Sequence, residues 1–113
     1  MWIKPFEEIP GKEVQSPEVK GVTMRVLVGP DQGAPTFTMR HFTVQPGGHT
    51  PRHTHAYEHE VFFLGGEGEV FYEGETARVK AGTVAYVAPN ADHQIRNAGG
   101  GPLTFLCLVP KGI

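Results

Sequence analysis

Glycine and proline limit what this chain can fold into more than any other feature of its sequence. Fifteen glycines and ten prolines are spread through 113 residues, so that few stretches exceed ten residues free of either. An average α-helix needs about 11–12 residues, and both residue types weaken helix interiors. The spacing therefore predicts short strands joined by turns and leaves little room for helices.

Eight segments are enriched in the β-branched and aromatic residues that favour strands. These candidate strands are Val22–Val28, Thr36–Val44, Glu60–Leu64, Glu69–Tyr72, Glu75–Val79, Thr83–Val87, His93–Arg96 and Leu103–Val109. Glu73-Gly74 predicts a tight hairpin turn, and further chain reversals are predicted at Gly65-Gly66, Pro89-Asn90 and residues 99–102. The pattern favours an all-β barrel or jelly roll.

Size and charge narrow the range of partners. A chain of this length is within the single-domain range, and no repeat or linker divides it. Residues 1–113 are therefore expected to form one domain, with an N-terminal arm over residues 1–20. The net charge of −2 offers no basic stripe for a nucleic acid, and no segment approaches the ~20 apolar residues of a membrane span. We expect neither as a partner.

The first residues and the cysteine content predict a compartment. The opening run MWIKPFEEIPGKE has neither the basic start nor the apolar stretch of a secretory signal. Cys107 is the single cysteine, which excludes an intrachain disulfide and fits a reducing environment. We therefore expect a cytoplasmic protein.

Four histidines carry the strongest functional pattern in the sequence. His53 and His55 are two residues apart, so on an extended chain both point to the same face. His59 keeps the same parity, and His93 follows 34 positions later. Neutral imidazole is the commonest protein metal ligand. Convergence of all four would form an all-nitrogen metal site.

The other two histidines receive a different interpretation. His41 and His49 belong to no spaced motif, and a lone histidine in a β protein is usually solvated or hydrogen-bonded. Neither is counted as a metal ligand.

The residues around the four histidines resemble the two motifs of the cupins, which are small double-stranded β-helix barrels. The first motif resembles G-x5-H-x-H-x3-E-x6-G, and its positions fall on Gly47, His53, His55, His59 and Gly66. Its usual glutamate is replaced by His59. The resemblance implies a barrel core over residues 37–109.

The second cupin motif resembles G-x5-P-x-G-x2-H-x3-N. Gly82, His93 and Asn97 match it, whereas Ala88 replaces its proline and Asn90 its second glycine. Asn tolerates a left-handed backbone better than most non-glycine residues, so the turn can survive this change. The four-histidine set is similar to that of small manganese-containing cupins of thermophiles, which implies one divalent metal ion per chain.

Strand alternation predicts what else faces the ion. Tyr57 and Val61 share the parity of His59, whereas Glu58 and Glu60 face the opposite way and are not expected to be ligands. Three further pocket candidates come from other segments. Arg40 is a candidate for binding an anionic substrate. Phe105 and Cys107 lie in the final predicted strand, and the sequence leaves open which way that strand faces.

Ligand chemistry sets limits on the metal and its reactions. Four neutral imidazoles leave the 2+ charge of the ion uncompensated, and an octahedral ion would keep two positions for water, oxygen or substrate. Imidazole ligands alone favour copper, nickel, iron or zinc. The resemblance argues for manganese or iron, and manganese is ranked first.

These features predict a metal-dependent oxidoreductase, most simply a dioxygenase acting on a small organic substrate. Two alternatives stay open. One is a cupin-type sugar isomerase, although no carboxylate base is evident in the sequence near the predicted site. The other is a small-molecule or metal-binding module without turnover. Phe62 and Leu64 are expected on the outer face of the barrel, where they form an apolar patch that either the N-terminal arm or a second subunit would cover. A homodimer is also predicted.

Overall fold

The computed structural model describes residues 1–112, which form an almost entirely β structure. Two short 3₁₀ turns, Phe6–Glu8 and Pro30–Gln32, are its helical segments. The strands are β1 (Lys12–Glu13), β2 (Lys20–Val28), β3 (Phe37–His49), β4 (His59–Gly65), β5 (Glu67–Tyr72), β6 (Glu75–Lys80), β7 (Val84–Val87), β8 (His93–Asn97) and β9 (Leu103–Pro110).

All nine strands belong to one curled antiparallel sheet, consistent with the predicted jelly-roll barrel. The strand order is β6-β5-β8-β3-β9-β4-β7, and β1 extends the sheet through β2, which pairs with β3. Strand β3 thus has three partners, because β9 and β2 flank its first part and β8 meets its end at His49. This curvature places β4 and β8 around one interior.

Strand β3 is longer than the sequence predicts. The segment was expected to end at Val44, before Pro46-Gly47-Gly48, but pairing continues to His49, which lies opposite both Lys20 and Arg96. The intervening residues form an irregularity between two paired positions of β2. A bulge of this kind accommodates proline and glycine without ending the strand.

The turn residues explain how the chain changes direction. Glu73 and Gly74 both have positive φ angles, +48° and +86°, and join the paired strands β5 and β6 as the predicted hairpin. Asn90 takes the left-handed conformation, with φ +67°, that its place in the second motif requires.

The other predicted reversals are not hairpin turns. Gly65-Gly66, Pro89-Asn90 and residues 99–102 each connect strands that do not pair with one another within residues 1–112. They carry the chain across the barrel to a new partner strand. The turn-forming residues identified these breaks correctly, but which strands pair with one another depends on the sheet topology.

Buried and exposed side chains alternate along β4 and β9, and the buried ones fill the interior of the barrel. In β4, Val61 and Phe63 are buried whereas Phe62 and Leu64 are exposed, as predicted. In β9, alternate residues starting at Leu103 are buried, so Phe105 and Cys107 face inward. The direction that the sequence left open is thereby settled. No helix among the described residues is long and apolar enough to span a membrane.

Candidate metal centre

Four histidine side chains meet inside the barrel and are called here the histidine cluster. One ligand atom from each lies within 4.8 Å of the others. The cluster is formed by His53, His55, His59 and His93. His53 and His55 precede β4, His59 begins β4 and His93 begins β8. The structure therefore brings together every histidine that the sequence predicted as a ligand.

A backbone bridge fixes the two segments that carry the cluster. The N–H of His53 donates to the carbonyl oxygen of His93, and the N–H of His93 donates to that of His53, both at 3.1 Å. These reciprocal bonds hold the loop before β4 against the start of β8. The geometry is thus set by the backbone and not only by side-chain packing.

Backbone carbonyls also orient two of the imidazole rings. Nδ1 of His55 lies 2.7 Å from the carbonyl oxygen of Tyr57, and Nδ1 of His93 lies 2.9 Å from that of Ala91. A carbonyl oxygen only accepts, so each Nδ1 carries the proton and each Nε2 has a free lone pair. The Tyr57 ring stacks on His55 at 3.8 Å and further restricts it.

His59 completes the arrangement through contacts at both ring nitrogens. Its Nε2 lies 2.8 Å from Nε2 of His55, and its Nδ1 lies 2.8 Å from Sγ of Cys107. For metal–nitrogen bonds of about 2.1 Å, neighbouring ligands are about 3.0 Å apart in an octahedron and about 3.4 Å apart in a tetrahedron. The distance between His55 and His59 is closer to the octahedral edge, whereas the four ligand atoms as a group are up to 4.8 Å apart.

The environment favours the neutral form of three of the four imidazoles. Burial lowers the pKa of His59 to about 3, with further contributions from nearby His55 and Arg40. Burial is also the largest cause that lowers the pKa values of His53 and His93. Neutral imidazole is the metal-binding form. The four-histidine donor set and the tautomers of His55 and His93 therefore fit a divalent transition-metal ion.

A cavity of about 220 Å³ opens beside the histidine cluster. Its wall is mostly aliphatic and aromatic, and it contains no aspartate or glutamate among the described residues. The five residues predicted for a substrate pocket all line it: Arg40, Tyr57, Val61, Phe105 and Cys107. Glu58 and Glu60 do not, in agreement with their predicted parity.

The arm contributes to this cavity, which the sequence did not predict. Val14 and Val19 lie before β2, and together with Val22 and Met24 they line the pocket. Val14 is held by a hydrogen bond from its N–H to the carbonyl oxygen of Val22. Val14 and Val19 are isolated between prolines and are not part of an alternating strand pattern. Their apolar character was therefore the only feature of the sequence that could have indicated a place in the cavity wall.

The two remaining histidines lie outside the cluster, as expected. His41 is buried and stacks on Phe6 of the first 3₁₀ turn, with ring centroids 4.5 Å apart. Nδ1 of His49 lies 3.1 Å from the carbonyl oxygen of Thr50. Asn97 is structural, because its Nδ2 donates to the carbonyl oxygens of Val44 and Gly101 at 2.9 and 2.8 Å.

Comparison with known families gives one match that covers most of the chain. Residues 40–109 match the family model described as the Cupin domain. This range contains the histidine cluster and the strands that carry it.

Two curated relatives are similar in sequence. The 1-methylthio-D-xylulose 5-phosphate methylsulfurylase of Rhodospirillum rubrum is 31% identical over 87% of this chain and 62% of its own length. An oxalate-binding protein of Thermotoga maritima is 34% identical over 57% of this chain and 54% of its own length. The chain thus spans less than two thirds of either relative.

A solved structure is similar over nearly the whole chain. The polyketide cyclase RemF of Streptomyces resistomycificus superposes with a TM-score of 0.91 and 28% identity, covering 97% of this chain and 79% of its own. The named activities of these proteins differ, so the shared feature is the barrel.

Proposed function

Since the chain belongs to the cupin family, we propose that it is a metal-dependent oxidoreductase, most simply a dioxygenase acting on a small, apolar or aromatic organic substrate. The observation that carries the proposal is the convergence of four histidine side chains inside the barrel, three of which line an apolar cavity. When bound, a divalent ion supplies Lewis acidity and, if octahedral, two coordination positions beyond the four imidazoles.

The residues around the cluster have separate roles in this proposal. The carbonyl oxygens of Tyr57 and Ala91 orient the rings of His55 and His93, so these rings need little reorganisation when a metal ion binds. Val61 and Phe105 shape the apolar wall and exclude water from the bound substrate. Selectivity would come from this wall.

The cavity argues against reactions that move a proton between carbons. A sugar isomerase needs a base beside the substrate, and no carboxylate lines this pocket among residues 1–112. The imidazoles in the wall are the proposed ligands and are not free to act as that base. The isomerase alternative is therefore the weaker one.

Two other candidate functions have support from the relatives. The similarity to a polyketide cyclase and to a methylsulfurylase favours an enzyme with a reaction other than that of a dioxygenase. The oxalate-binding relative favours a binding module without turnover. Both would use the same cluster and cavity, so the distinction is one of reaction rather than of site.

Manganese is our first choice for the ion, with iron next and copper, nickel or zinc as alternatives. The sequence resemblance to small manganese-containing cupins supports this order. Imidazole ligands alone would favour copper or nickel. Elemental analysis of protein purified without an affinity tag identifies the ion.

We also propose that the chain forms a homodimer through the outer face of β4 and β7. Large apolar side chains are exposed there, with fractional exposures of 45% for Phe62, 70% for Val84 and 58% for Tyr86. Phe62 lies opposite Val84 on one side and Leu106 on the other. A continuous apolar strip on a sheet face favours burial against a second copy.

Oxygen consumption tests the enzymatic proposal. Protein reconstituted with manganese, iron or copper is supplied with a panel of phenolic and enol substrates. We expect consumption by at least one metal form, its loss in His93→Ala, and its retention in the control His49→Ala. Metal bound in stoichiometric amounts without oxygen uptake, but with product formed anaerobically, would favour the non-oxidative enzyme. No product under either condition would favour the binding module.

A further inference from the structure

Arg40 is an isolated positive charge inside the substrate cavity. It lies on β3 opposite Cys107 of β9, and its side chain lines the cavity beside the histidine cluster. Its Nη2 lies 3.6 Å from Sγ of Cys107, and its guanidinium carbon is 5.3 Å from the ring centre of Phe42. These neighbours restrict the guanidinium but carry no negative charge.

Among residues 1–112 the structure provides no ion-pair partner for this arginine. The ion pairs within residues 1–112 join Arg52 to Asp92, Arg78 to Glu67 and Arg96 to Glu69. Nε of Arg40 is buried and makes no hydrogen bond. A buried donor without a partner costs free energy.

A metal ion would increase this imbalance. An imidazole that binds a metal is neutral, so a divalent ion in the cluster would keep its full charge, and Arg40 would add one more in the same apolar cavity. Charges that lie close together in a low-dielectric interior repel strongly. An anionic ligand is the simplest way to balance both.

We propose that the cavity takes a small organic acid whose carboxylate pairs with Arg40 and whose apolar body lies against the aliphatic and aromatic wall. The inference rests on the proposed function in that it names the substrate class for the same cavity. The planar guanidinium matches the two oxygens of a carboxylate, and Nε and Nη2 would both gain partners.

A carboxylate fits this cavity better than a phosphate. Besides Arg40 and the histidine cluster, the polar side chains that line the wall are Thr50, Tyr57 and the weakly polar Cys107. One guanidinium can satisfy two carboxylate oxygens, whereas a phosphate has additional oxygens that would face valine and phenylalanine. The cavity volume of about 220 Å³ restricts the acid to a small one.

Calorimetric titration of the metal-free protein tests this assignment. The probes are benzoate, its neutral analogue benzamide and inorganic phosphate. We expect benzoate to bind, benzamide to bind more weakly and phosphate to bind weakest. Arg40→Met should lower benzoate affinity roughly 10- to 100-fold, the range for a lost charge-assisted hydrogen bond, without a matching change for benzamide.

Two variants complete the experiment. Arg78→Met removes an exposed arginine and should leave benzoate affinity unchanged. Arg40→Lys keeps the positive charge but not the paired N–H donors of the guanidinium, so it should bind benzoate with intermediate affinity. If Arg40→Met unfolds, Arg40→Lys replaces it in the experiment. Equal affinities for benzoate and benzamide, unchanged affinity in the Arg40 variants, or tightest binding of phosphate would overturn the proposal. Because metal-free protein is used, absence of oxygen uptake would contradict the proposed function alone.

Discussion

Nδ1 of His59 and Sγ of Cys107 are 2.8 Å apart and join the histidine cluster to the last strand of the barrel. If Nε2 of His59 binds a metal, the proton of the neutral ring must be on Nδ1, which then donates to the sulfur. Burial raises the pKa of the Cys107 thiol, although Arg40 opposes this effect. Cys107 is thus a positioning residue for His59.

Replacing Cys107 should weaken metal binding without removing a ligand. In Cys107→Ala the Nδ1 proton of His59 loses its acceptor, and we expect roughly tenfold lower manganese affinity, the low end for lost outer-shell partners. Cys107→Ser supplies a hydroxyl oxygen and should recover most of the loss. Competition titrations with a chromophoric chelator measure both. Equal affinity in the alanine variant and the unaltered protein would show that the contact does not orient the ring.

The metal-free protein should lose stability in mild acid. Its folded-state pKa values for His53, His59 and His93 are lower than the ordinary 6.5, to about 3 for His59. The unfolded chain therefore takes up more protons as the pH falls below 6.5, and the free energy of unfolding decreases toward pH 3. Urea unfolding at pH 7.5 and pH 5 measures this. A smaller pH dependence is expected in His59→Gln.

Metal affinity should also decrease as the pH falls, but at lower pH than for histidines with the ordinary pKa of 6.5. Protons compete with the metal only near and below the pKa of each ligand. Because three of the four pKa values are lowered by burial, most of the loss should occur below pH 6.5. Titrations between pH 8 and pH 5 check this. Affinity that halves already between pH 8 and pH 7 would contradict the proposed ligands.

A protein with glutamate in place of His59 should still bind a metal ion, but the net charge of the metal site should be lower by one unit. A carboxylate cancels one unit of positive charge, so the centre becomes a weaker Lewis acid. His59→Glu is therefore expected to bind one metal equivalent and to bind azide less tightly than the unaltered protein. Elemental analysis and azide titration measure the two properties. Complete loss of metal would mean that position 59 does not have the usual cupin geometry.

Gly66 should tolerate no side chain. Its φ is +84°, and a Cβ there would collide with the carbonyl oxygen of Pro102 and approach Cα of Leu103 to 2.9 Å. Gly66→Ala should lower the free energy of unfolding by about 3 kcal/mol, the upper end for strained backbone. Gly100→Ala is the control, because a Cβ there meets nothing within 4 Å. Denaturant unfolding compares the two.

The proposed dimer can be tested by mass. Light scattering at micromolar concentration should give twice the chain mass of 12.3 kDa. Phe62→Lys places a charge in the exposed apolar face and should yield a monomer, whereas Val26→Lys on β2 should remain a dimer. A monomeric mass for the unaltered protein would refute the assembly.

Sequence spacing was sufficient to predict the histidine cluster and much of the fold. Side-chain alternation placed Val61 inside and Phe62 outside, because a strand that is half buried must alternate. It failed to orient β9, where Leu106 and Cys107 are both apolar and either face could have been the inner one. Only the position of β9 between β3 and β4 decides this.

Long-range pairing explains the other differences. The extension of β3 to His49 depends on Lys20 and Arg96, which are distant in sequence and supply hydrogen-bonding partners that local propensity does not reveal. The isolated positive charge of Arg40 was equally hidden, since it depends on which carboxylates lie nearby in space. Sequence alone identified the residue but not its surroundings.

The walls of the cavity come from two parts of the chain, one inside and one outside the range that matches the family. Val14, Val19 and Met24 line it, yet they precede residue 40, where the match to the family begins. The histidine cluster lies entirely within the matched part. Mutations before β3 can therefore reshape substrate choice during evolution while the ligands stay untouched, which is one physical route by which a single barrel acquires new chemistry.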